Sequence, residues 1–400
     1  MCGGAVSEAK PKVEMQAKLD VWLLSAVLAL SAIGLVMVYS SSAILAYERT
    51  GDSFHFLKKQ ALAAGMGWLV LVLGLRLGYR RLARLAYPLL LLALVLMVLV
   101  LIPGIGVKVG GAYRWIRMGG FSFQPSEFAK LVWVIYLAYS LAKKREKVRS
   151  FSVGFLPHLL LGGLLVGLCM MEPDFGSSVA LLFLMFVMLF AAGAKLSYLV
   201  GSVLLAIPFA YHAITSSPYR YQRIMSFLDP WADRQGAGYQ VAESLMSVGS
   251  GGLWGLGLGE GRQKLFFLPE AHSDFVFAIL GEELGLVGVT VVIALYAVVI
   301  WRGTRIALKA PEPFGCYVAL GITTLFAFHA VVNMSVVLGL LPTKGLTLPF
   351  ISYGGSSLMV CLAATGILLS VSANTGRQRQ KSGVNVCNPK HSPRMAEAPL

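Results

Sequence analysis

The chain has 400 residues and a formal net charge of +15, yet only 13% of its residues are charged, about half of the roughly 25% expected of a soluble domain. Hydrophobic residues make up 57% of the sequence, more than a soluble fold can hide. A nucleic-acid-binding protein needs a basic surface that faces water, and this composition leaves too little polar material to build one. The composition therefore predicts a polytopic membrane protein.

Apolar segments long enough to cross a bilayer recur along the chain, since a membrane helix needs about 20 apolar residues and satisfies its backbone hydrogen bonds internally. The predicted spans are 21–42, 60–76, 85–103, 127–142, 155–171, 177–193, 196–213, 275–301, 314–340 and 350–373. The predicted fold class is therefore an all-α polytopic membrane protein of about ten transmembrane helices. The membrane domain covers 20–373, and we expect the polar tails 1–19 and 374–400 to be disordered.

Basic residues indicate the orientation of the bundle, because short loops rich in Lys and Arg stay in the cytoplasm. They cluster in alternate connections, at 76–84, 143–149 and 302–309. Both tails lie on the cytoplasmic side with these loops, because an even number of spans returns the chain to the side on which it began. The whole net charge of +15 then lies on the cytoplasmic side, and acids and bases balance in the outer loops.

One outer loop, 214–273, is far longer than an ordinary connection and is rich in aromatic residues and glycine, which favours an ordered, functional segment. Within it, residues 239–249 show the spacing of a short amphipathic helix. Its predicted apolar face is Tyr239, Ala242, Leu245, Met246 and Gly249, opposite Gln240, Glu243, Ser244 and Ser247. The helix either lies on the membrane surface or packs on the bundle, and the lack of a basic face favours packing.

Ionisable residues at the rim of a span are costly to keep, which makes them candidates for function. The first group joins Arg114, Trp115 and Arg117 to Glu127 and Lys130. Glu127 and Lys130 lie three residues apart on one helix face, so they could form a local ion pair. Alternatively, Lys130 and the two arginines bind an anionic ligand, with the ring of Trp115 at the membrane interface.

A second group places Glu172 and Asp174 in the tight outer turn between the fifth and sixth spans. Asp174 could cap the sixth span. The two carboxylates could instead hold a divalent cation, although two acids alone are a weak metal signal.

The third group lies where the long loop enters the membrane and contains Glu270, His272 and Asp274. Burial there would raise the pKa of Asp274 toward the range that suits a general base. Ser273 or Asp274 could instead cap the eighth span. A lone loop histidine such as His272 is more often a hydrogen-bonding group than a metal ligand.

The fourth group lies between the ninth and tenth spans, at 341–357. Lys344 is the only charged residue of this outer turn, and a single fixed cation there suits a phosphate. Its side chain could instead reach toward the interface without any ligand. Ser356, in the glycine- and serine-rich stretch that follows, completes the candidate substrate-binding residues.

Together the outer loops offer carboxylates beside cations, a mixture that fits a lipid-linked pyrophosphate. Cations would hold the diphosphate while a carboxylate takes a proton from a sugar hydroxyl, which then displaces the diphosphate at an anomeric carbon. Ligand binding alone would need no base. Mg or Mn could assist the diphosphate, but the sequence does not assign a metal site.

Four motifs, spaced along residues 20–375, resemble the SEDS family of bacteria, named for shape, elongation, division and sporulation. They are RWI at 114–116 with FQPSE at 123–127, EPDFG at 172–176, LPEAHSDF at 268–275, and LPFISYGGSS at 348–357. Ser273 stands where the family usually has threonine, and it keeps the hydroxyl. Ala271 and the LFF at 265–267 favour the division branch over the elongation and sporulation branches.

The resemblance implies a peptidoglycan glycosyltransferase that polymerises lipid II at the outer face of the cytoplasmic (inner) membrane, at the division septum. The family's essential acid maps onto Asp274, and Trp115, Glu127, Lys130 and Asp174 match other functional motif positions. The implied partners are a class B penicillin-binding protein, which crosslinks the strands, and other membrane proteins of the divisome. A flippase for lipid-linked sugar and a non-catalytic scaffold remain as alternatives.

Overall fold

In a computed structural model of the chain, the described residues are 19–386 except for 110, 119–120, 217, 233–235, 237, 265–270 and 344. Most of both predicted tails lies outside this set. The helices, in chain order, are α1 (Val21–Thr50), α2 (His55–Leu77), α3 (Tyr79–Val100), α4 (Pro125–Lys144), α5 (Leu156–Met171), α6 (Phe175–Ala191), α7 (Leu196–Thr215), α8 (Pro218–Leu228), α9 (Tyr239–Ser250), α10 (Val276–Lys309), α11 (Pro313–Val337) and α12 (Gly355–Val386).

The helical membrane fold is confirmed, because each predicted span coincides with a helix, α1 to α7 and α10 to α12. In the described part of the chain, seven helices are long and apolar enough to cross a membrane. The apolar helices α6 and α7 are shorter, and α4 carries Glu127 and Lys130 near its outer end. Helix α12 continues to Val386, past the predicted end of the membrane domain at 373.

The outer segment between α3 and α4, predicted as a loop, forms a small antiparallel sheet in the order β1-β2-β3. Its strands are β1 (Gly106–Val109), β2 (Ala112–Met118) and β3 (Phe121–Phe123). Successive side chains of a strand point to opposite faces, and β2 follows this rule. Ala112 and Ile116 are buried there, whereas Arg117 is exposed. Gly111 takes a positive φ of 85° in the turn between the first two strands.

Helix α9 confirms the predicted amphipathic helix, and it packs against α10 and α11, as favoured. Against the usual inward turn of an apolar face, most of the polar face is buried, whereas Leu245 and Met246 of the apolar face are only half-buried. The buried residues of α9 are Val241, Ala242, Glu243, Ser244 and Ser247. Hydrogen bonds explain the reversal: Ser244 Oγ donates to Val337 O at 2.7 Å, and Ser247 Oγ donates to Ala278 O at 3.1 Å.

The cytoplasmic ends of α1 and α10 are joined by an ion pair. Asp20 caps α1, where its Oδ1 accepts a hydrogen bond from Leu23 N at 3.1 Å. Its Oδ2 also lies 2.6 Å from Nη2 of Arg302. Because Arg302 belongs to a predicted cytoplasmic loop, this contact places the start of α1 at the cytoplasmic interface.

Helix α1 approaches the segment before α12 closely at Gly34. A Cβ atom there would lie 2.8 Å from Ile351 Cα and would overlap Phe350 O. We expect Gly34→Ala to lower the stability by about 1–3 kcal/mol, because backbone must move to make room. Gly163→Ala on α5 is the matched control, since a Cβ there meets nothing within 4 Å. The melting temperatures of the two variants in detergent measure the difference, and equal values would contradict the close approach.

Candidate active site at the outer ends of the helices

The segment before α12 holds the backbone that leads to Asp274. Ser352 Oγ donates to Ser273 O at 2.6 Å and accepts from Leu348 N at 2.8 Å. One residue further on, Tyr353 N donates to His272 O at 2.9 Å. The third and fourth sequence motifs are therefore joined directly through their backbones.

Asp274 lies half-buried at the outer end of α10. Its Oδ2 is 3.2 Å from the point where a Cβ would stand on Gly345, so the carboxylate faces the turn between α11 and α12. Asn333 Nδ2 of α11 binds both sides of this contact, donating to Asp274 O at 2.9 Å and to Leu346 O at 2.7 Å. The N-cap position of α10 is Phe275, with no side-chain cap. Neither Ser273 nor Asp274 therefore holds the N-cap position itself, and the raised pKa of Asp274 stays a prediction.

A buried ionic cluster lies beneath the same turn. Lys130 Nζ is 2.8 Å from Glu127 Oε1, and both side chains are at least nine-tenths buried. The ion pair expected from their spacing is therefore present. Lys130 Nζ also lies 3.2 Å from Nε2 of His329, whose Nδ1 faces Thr347 O at 3.4 Å. An ammonium group only donates, so Nε2 is the acceptor and Nδ1 carries the ring proton.

Asp174 caps α6, as one of the two sequence interpretations predicted, since its Oδ1 accepts from Ser177 N at 3.0 Å. Its Oδ2 accepts from Ser177 Oγ at 2.7 Å and from Ser126 Oγ at 3.0 Å. The last bond joins the first and second motifs. With its oxygens engaged in this way, Asp174 serves the junction of α4 and α6 and is a poor ligand for a cation.

Strand β2 lies over the turn between α5 and α6. Arg114 Nε donates to Glu172 O at 3.0 Å, and its Nη2 donates to Pro173 O. The side chain of Trp115 is half-buried and that of Arg117 is exposed. Of the two predicted arginines, Arg114 is thus bound to backbone carbonyls, whereas Arg117 points to the outer surface.

Two predicted substrate-binding residues are integrated into the protein interior. The ring of His272 lies between those of Phe56 and Tyr353, at centroid distances of 5.0 and 5.4 Å. Ser356 Oγ donates to Ser122 O at 2.9 Å and accepts from Gln124 N at 3.1 Å. Both side chains are buried, so they join elements of the outer face to one another.

Two further predicted residues, Glu270 and Lys344, lie outside the described residues. The described residues contain no group of three or more His, Cys, Asp or Glu side chains that could hold a metal ion.

Sequence reasoning missed three residues of this region. His329 and Asn333 lie one helical turn apart on α11, where polar side chains inside a span were a usable signal. Arg223 of α8 donates from Nη1 to Thr343 O at 3.1 Å. Its position near the start of the long loop gave no indication that α8 reaches this turn.

Glu172 is a buried carboxyl group in the outer turn between α5 and α6. Among the described residues, neither of its oxygens has a hydrogen-bond partner. Burial and, to a lesser extent, the charge of Asp174 raise the pKa of Glu172 to about 8, although the nearby Arg114 acts in the opposite direction. The group is therefore largely protonated at neutral pH.

This raised pKa predicts a loss of stability with rising pH. The carboxyl ionises near 4.5 when unfolded and near 8 when folded, so its contribution is present below the first value and is lost as the pH rises through the second. We expect the melting temperature of the wild type to fall between about pH 5 and pH 8 relative to that of Glu172→Gln. A constant difference between the two proteins across this range would refute the shift.

Comparisons with known proteins place the chain among bacterial cell cycle proteins. The family model of FtsW, RodA and SpoVE, described as cell cycle protein, matches residues 21–377. A probable peptidoglycan glycosyltransferase FtsW of Trichlorobacter lovleyi is 49% identical over 89% of this chain and 94% of its own length. Stage V sporulation protein E of Bacillus subtilis is 44% identical over 88% of this chain and 96% of its own length.

Solved structures agree with the sequence matches. A chain from the structure "Structural coordination of polymerization and crosslinking by a peptidoglycan synthase complex" has a TM-score of 0.75 and 33% identity, covering 89% of this chain and 98% of that chain. The rod shape determining protein RodA of Thermus thermophilus has a TM-score of 0.66 and 32% identity, and the match covers 88% of this chain and 96% of that chain. The chain therefore belongs to the FtsW, RodA and SpoVE family, the SEDS family that its four motifs indicate.

Proposed function

We propose that the protein is a peptidoglycan glycosyltransferase that polymerises lipid II into glycan strands at the outer face of the cytoplasmic membrane. Relatives that match most of the chain carry the name peptidoglycan glycosyltransferase. The observation that carries the proposal is the position of Asp274, whose carboxylate faces Gly345 where the third and fourth motifs meet. A carboxylate held at the membrane entrance of the long loop is suited to accept a proton from a sugar hydroxyl.

In the proposed reaction, Asp274 takes the proton of the acceptor hydroxyl as its oxygen attacks the anomeric carbon of the donor. A new glycosidic bond forms, and the bond between that carbon and the diphosphate oxygen breaks. The lipid diphosphate leaves with the electron pair, so its developing charge needs nearby cations. We assign this role to Arg114, Arg117, Lys130 and Lys344, of which the exposed Arg117 is the most accessible described member.

The geometry divides the predicted residues into two kinds. Lys130 is buried with Glu127 and His329, so it supplies a fixed positive charge below the turn. Trp115, half-buried on β2, offers an amphipathic ring at the level where a lipid headgroup would lie. Mg or Mn bound by the diphosphate would add positive charge. A requirement for such a cation is a separate prediction for the purified enzyme.

We further propose that the protein works with a class B penicillin-binding protein and other membrane proteins of the divisome at the septum. One structural neighbour comes from a peptidoglycan synthase complex in which polymerization and crosslinking are coordinated. FtsW relatives are 44–49% identical to this chain, which supports the division branch. The sporulation relative at 44% shows that the overall identity alone separates the branches weakly.

The purified protein in liposomes that contain lipid II tests the proposal. We expect glycan polymer, detected on a gel. Samples with and without a cognate class B penicillin-binding protein are compared side by side. A flippase would instead move lipid II across the membrane and form no polymer. A scaffold would do neither, and a strain with Asp274→Ala would then grow normally. Movement of lipid II without polymer would overturn the proposal, and so would normal growth of the Asp274→Ala strain.

A further inference from the structure

A glycine-rich segment of the long outer loop, residues 251–259, presents large apolar side chains on the surface. Leu253 and Trp254 are 62% and 81% exposed. The segment reads GGLWGLGLG and contains no charged residue. Such a concentration of exposed apolar groups on an outer loop indicates a surface that meets something other than water.

The backbone of this segment pairs with α10 at a break in the helix. Gly285, with a φ of 64°, interrupts α10, which frees carbonyl groups before it and amide groups after it. Leu256 N and Gly257 N donate to Glu282 O and Glu283 O, each at 3.0 Å. The backbone polar groups on both sides of the break are thus satisfied by protein, which is the condition for irregular backbone at membrane depth.

The pairing continues below the break. Leu286 N donates to Gly252 O at 3.0 Å, and Val287 N donates to Leu253 O at 3.2 Å. Gly255 makes the close approach possible, because a Cβ there would lie 2.7 Å from Gly285 N. The apolar tip of the segment therefore lies beside the part of α10 that leads into the membrane.

The depth of this contact follows from the cytoplasmic ion pair. Asp20 at the start of α1 and Arg302 two turns before the end of α10 mark the cytoplasmic boundary of the membrane, and a bilayer core spans about 20 helical residues. The outer boundary then lies near residue 41 of α1 and residue 282 of α10, to about one turn. Ser40 Oγ donates to Glu283 Oε1 at 2.7 Å, so these residues of α1 and α10 lie at the same depth in the membrane.

The carboxylates of Glu282 and Glu283 lie at that boundary and bind the loop. Lys264 Nζ lies 2.7 Å from Glu283 Oε1, with both side chains buried. Arg262 N donates to Glu282 Oε1 at 2.6 Å. The tip of the segment beside Leu286 and Val287 lies on the membrane side of these charges, and it continues the exposed apolar face of α10.

We propose that residues 251–259 form a re-entrant segment that is inserted in the outer leaflet, with Leu253 and Trp254 in contact with lipid acyl chains. The insertion does not depend on the reaction at Asp274. It ties the long outer loop to the membrane at a fixed depth, next to the helix that begins at the proposed base.

A fluorescence experiment on the full chain tests the insertion. The five native cysteines are replaced by alanine, and single cysteines are introduced by Trp254→Cys, by Val291→Cys on the exposed face of α10, and by Glu48→Cys at the outer end of α1. Each is labelled with an NBD fluorophore in phosphatidylcholine nanodiscs. Quenching by brominated acyl chains is compared with quenching by aqueous iodide. Leu253→Cys gives an independent probe of the same tip.

We expect the probes at 254 and 253 to behave like the one at 291, with strong quenching by brominated lipid and a several-fold weaker response to iodide than at 48. Quenching by iodide at the level of the probe at 48 would overturn the proposal. Resistance to both quenchers would also overturn it, because a second protein surface would then cover the segment. Unchanged melting temperatures show that the labelled proteins are folded.

Discussion

Replacing Asp274 by asparagine is expected to reduce the rate of glycan polymerisation from purified lipid II by about 10²- to 10⁴-fold, the usual contribution of a general base. Asparagine keeps the size and polarity of the side chain but cannot accept the hydroxyl proton. Asn333 donates its hydrogen bond to the backbone carbonyl of Asp274, so the substitution leaves that contact in place. We therefore expect little change in melting temperature.

The matched control is Asp52→Asn, the same chemical change on an exposed outer carboxylate paired with Lys58 at 2.7 Å. An exposed ion pair contributes little to stability, so this variant should keep the wild-type rate and stability. Equal rates for both variants and the wild type would remove Asp274 from the chemistry. A large fall in the melting temperature of Asp274→Asn would instead assign the residue a structural role.

Removal of the Lys130 charge is expected to have the largest effect on stability. Lys130→Met leaves Glu127 buried without its cation, and breaking one side of a buried ion pair costs about 3–5 kcal/mol. His329 also loses the donor to its Nε2. Chemical unfolding in detergent measures the loss. Lys58→Met is the control, because it makes the same change in an exposed pair and should leave the stability nearly unchanged.

A double variant separates stability from function in this cluster. Glu127→Gln combined with Lys130→Met removes both charges, and neutralising a buried pair is often close to neutral for stability. We expect it to regain most of the stability but not the polymerisation rate, because the positive charge below the turn is still missing. A double variant with wild-type activity would show that the pair only holds α4 in place.

The sequence predicted the spans well because bilayer thickness and backbone hydrogen bonding leave few alternatives to a long apolar helix. It also located the four motifs that the structure brings together at the outer face. The sheet at β1 to β3 was missed, since short strands of seven residues or fewer give a weak pattern beside strong membrane segments. Tertiary contacts, not local preference, decide whether such a loop forms strands.

The buried face of α9 shows why orientation is harder to predict than helix formation. Periodicity assumes that the apolar face turns inward, but Ser244 and Ser247 find backbone acceptors on α11 and α10. Those acceptors lie far away in the chain, so no local pattern contains them. The polar side chain of His329 inside a span marks the residue in the sequence, but its contact with the distant Lys130 is in no local pattern.

If the Asp274 carboxylate acts as the base, an added carboxylate should replace it in a variant that lacks the side chain. The measurement is the initial rate of glycan formation by purified Asp274→Ala, with and without added formate. We predict a rate far below that of the wild type that rises when formate supplies a carboxylate in the vacated space. A rate for Asp274→Ala equal to that of the wild type, with no response to formate, would contradict the account.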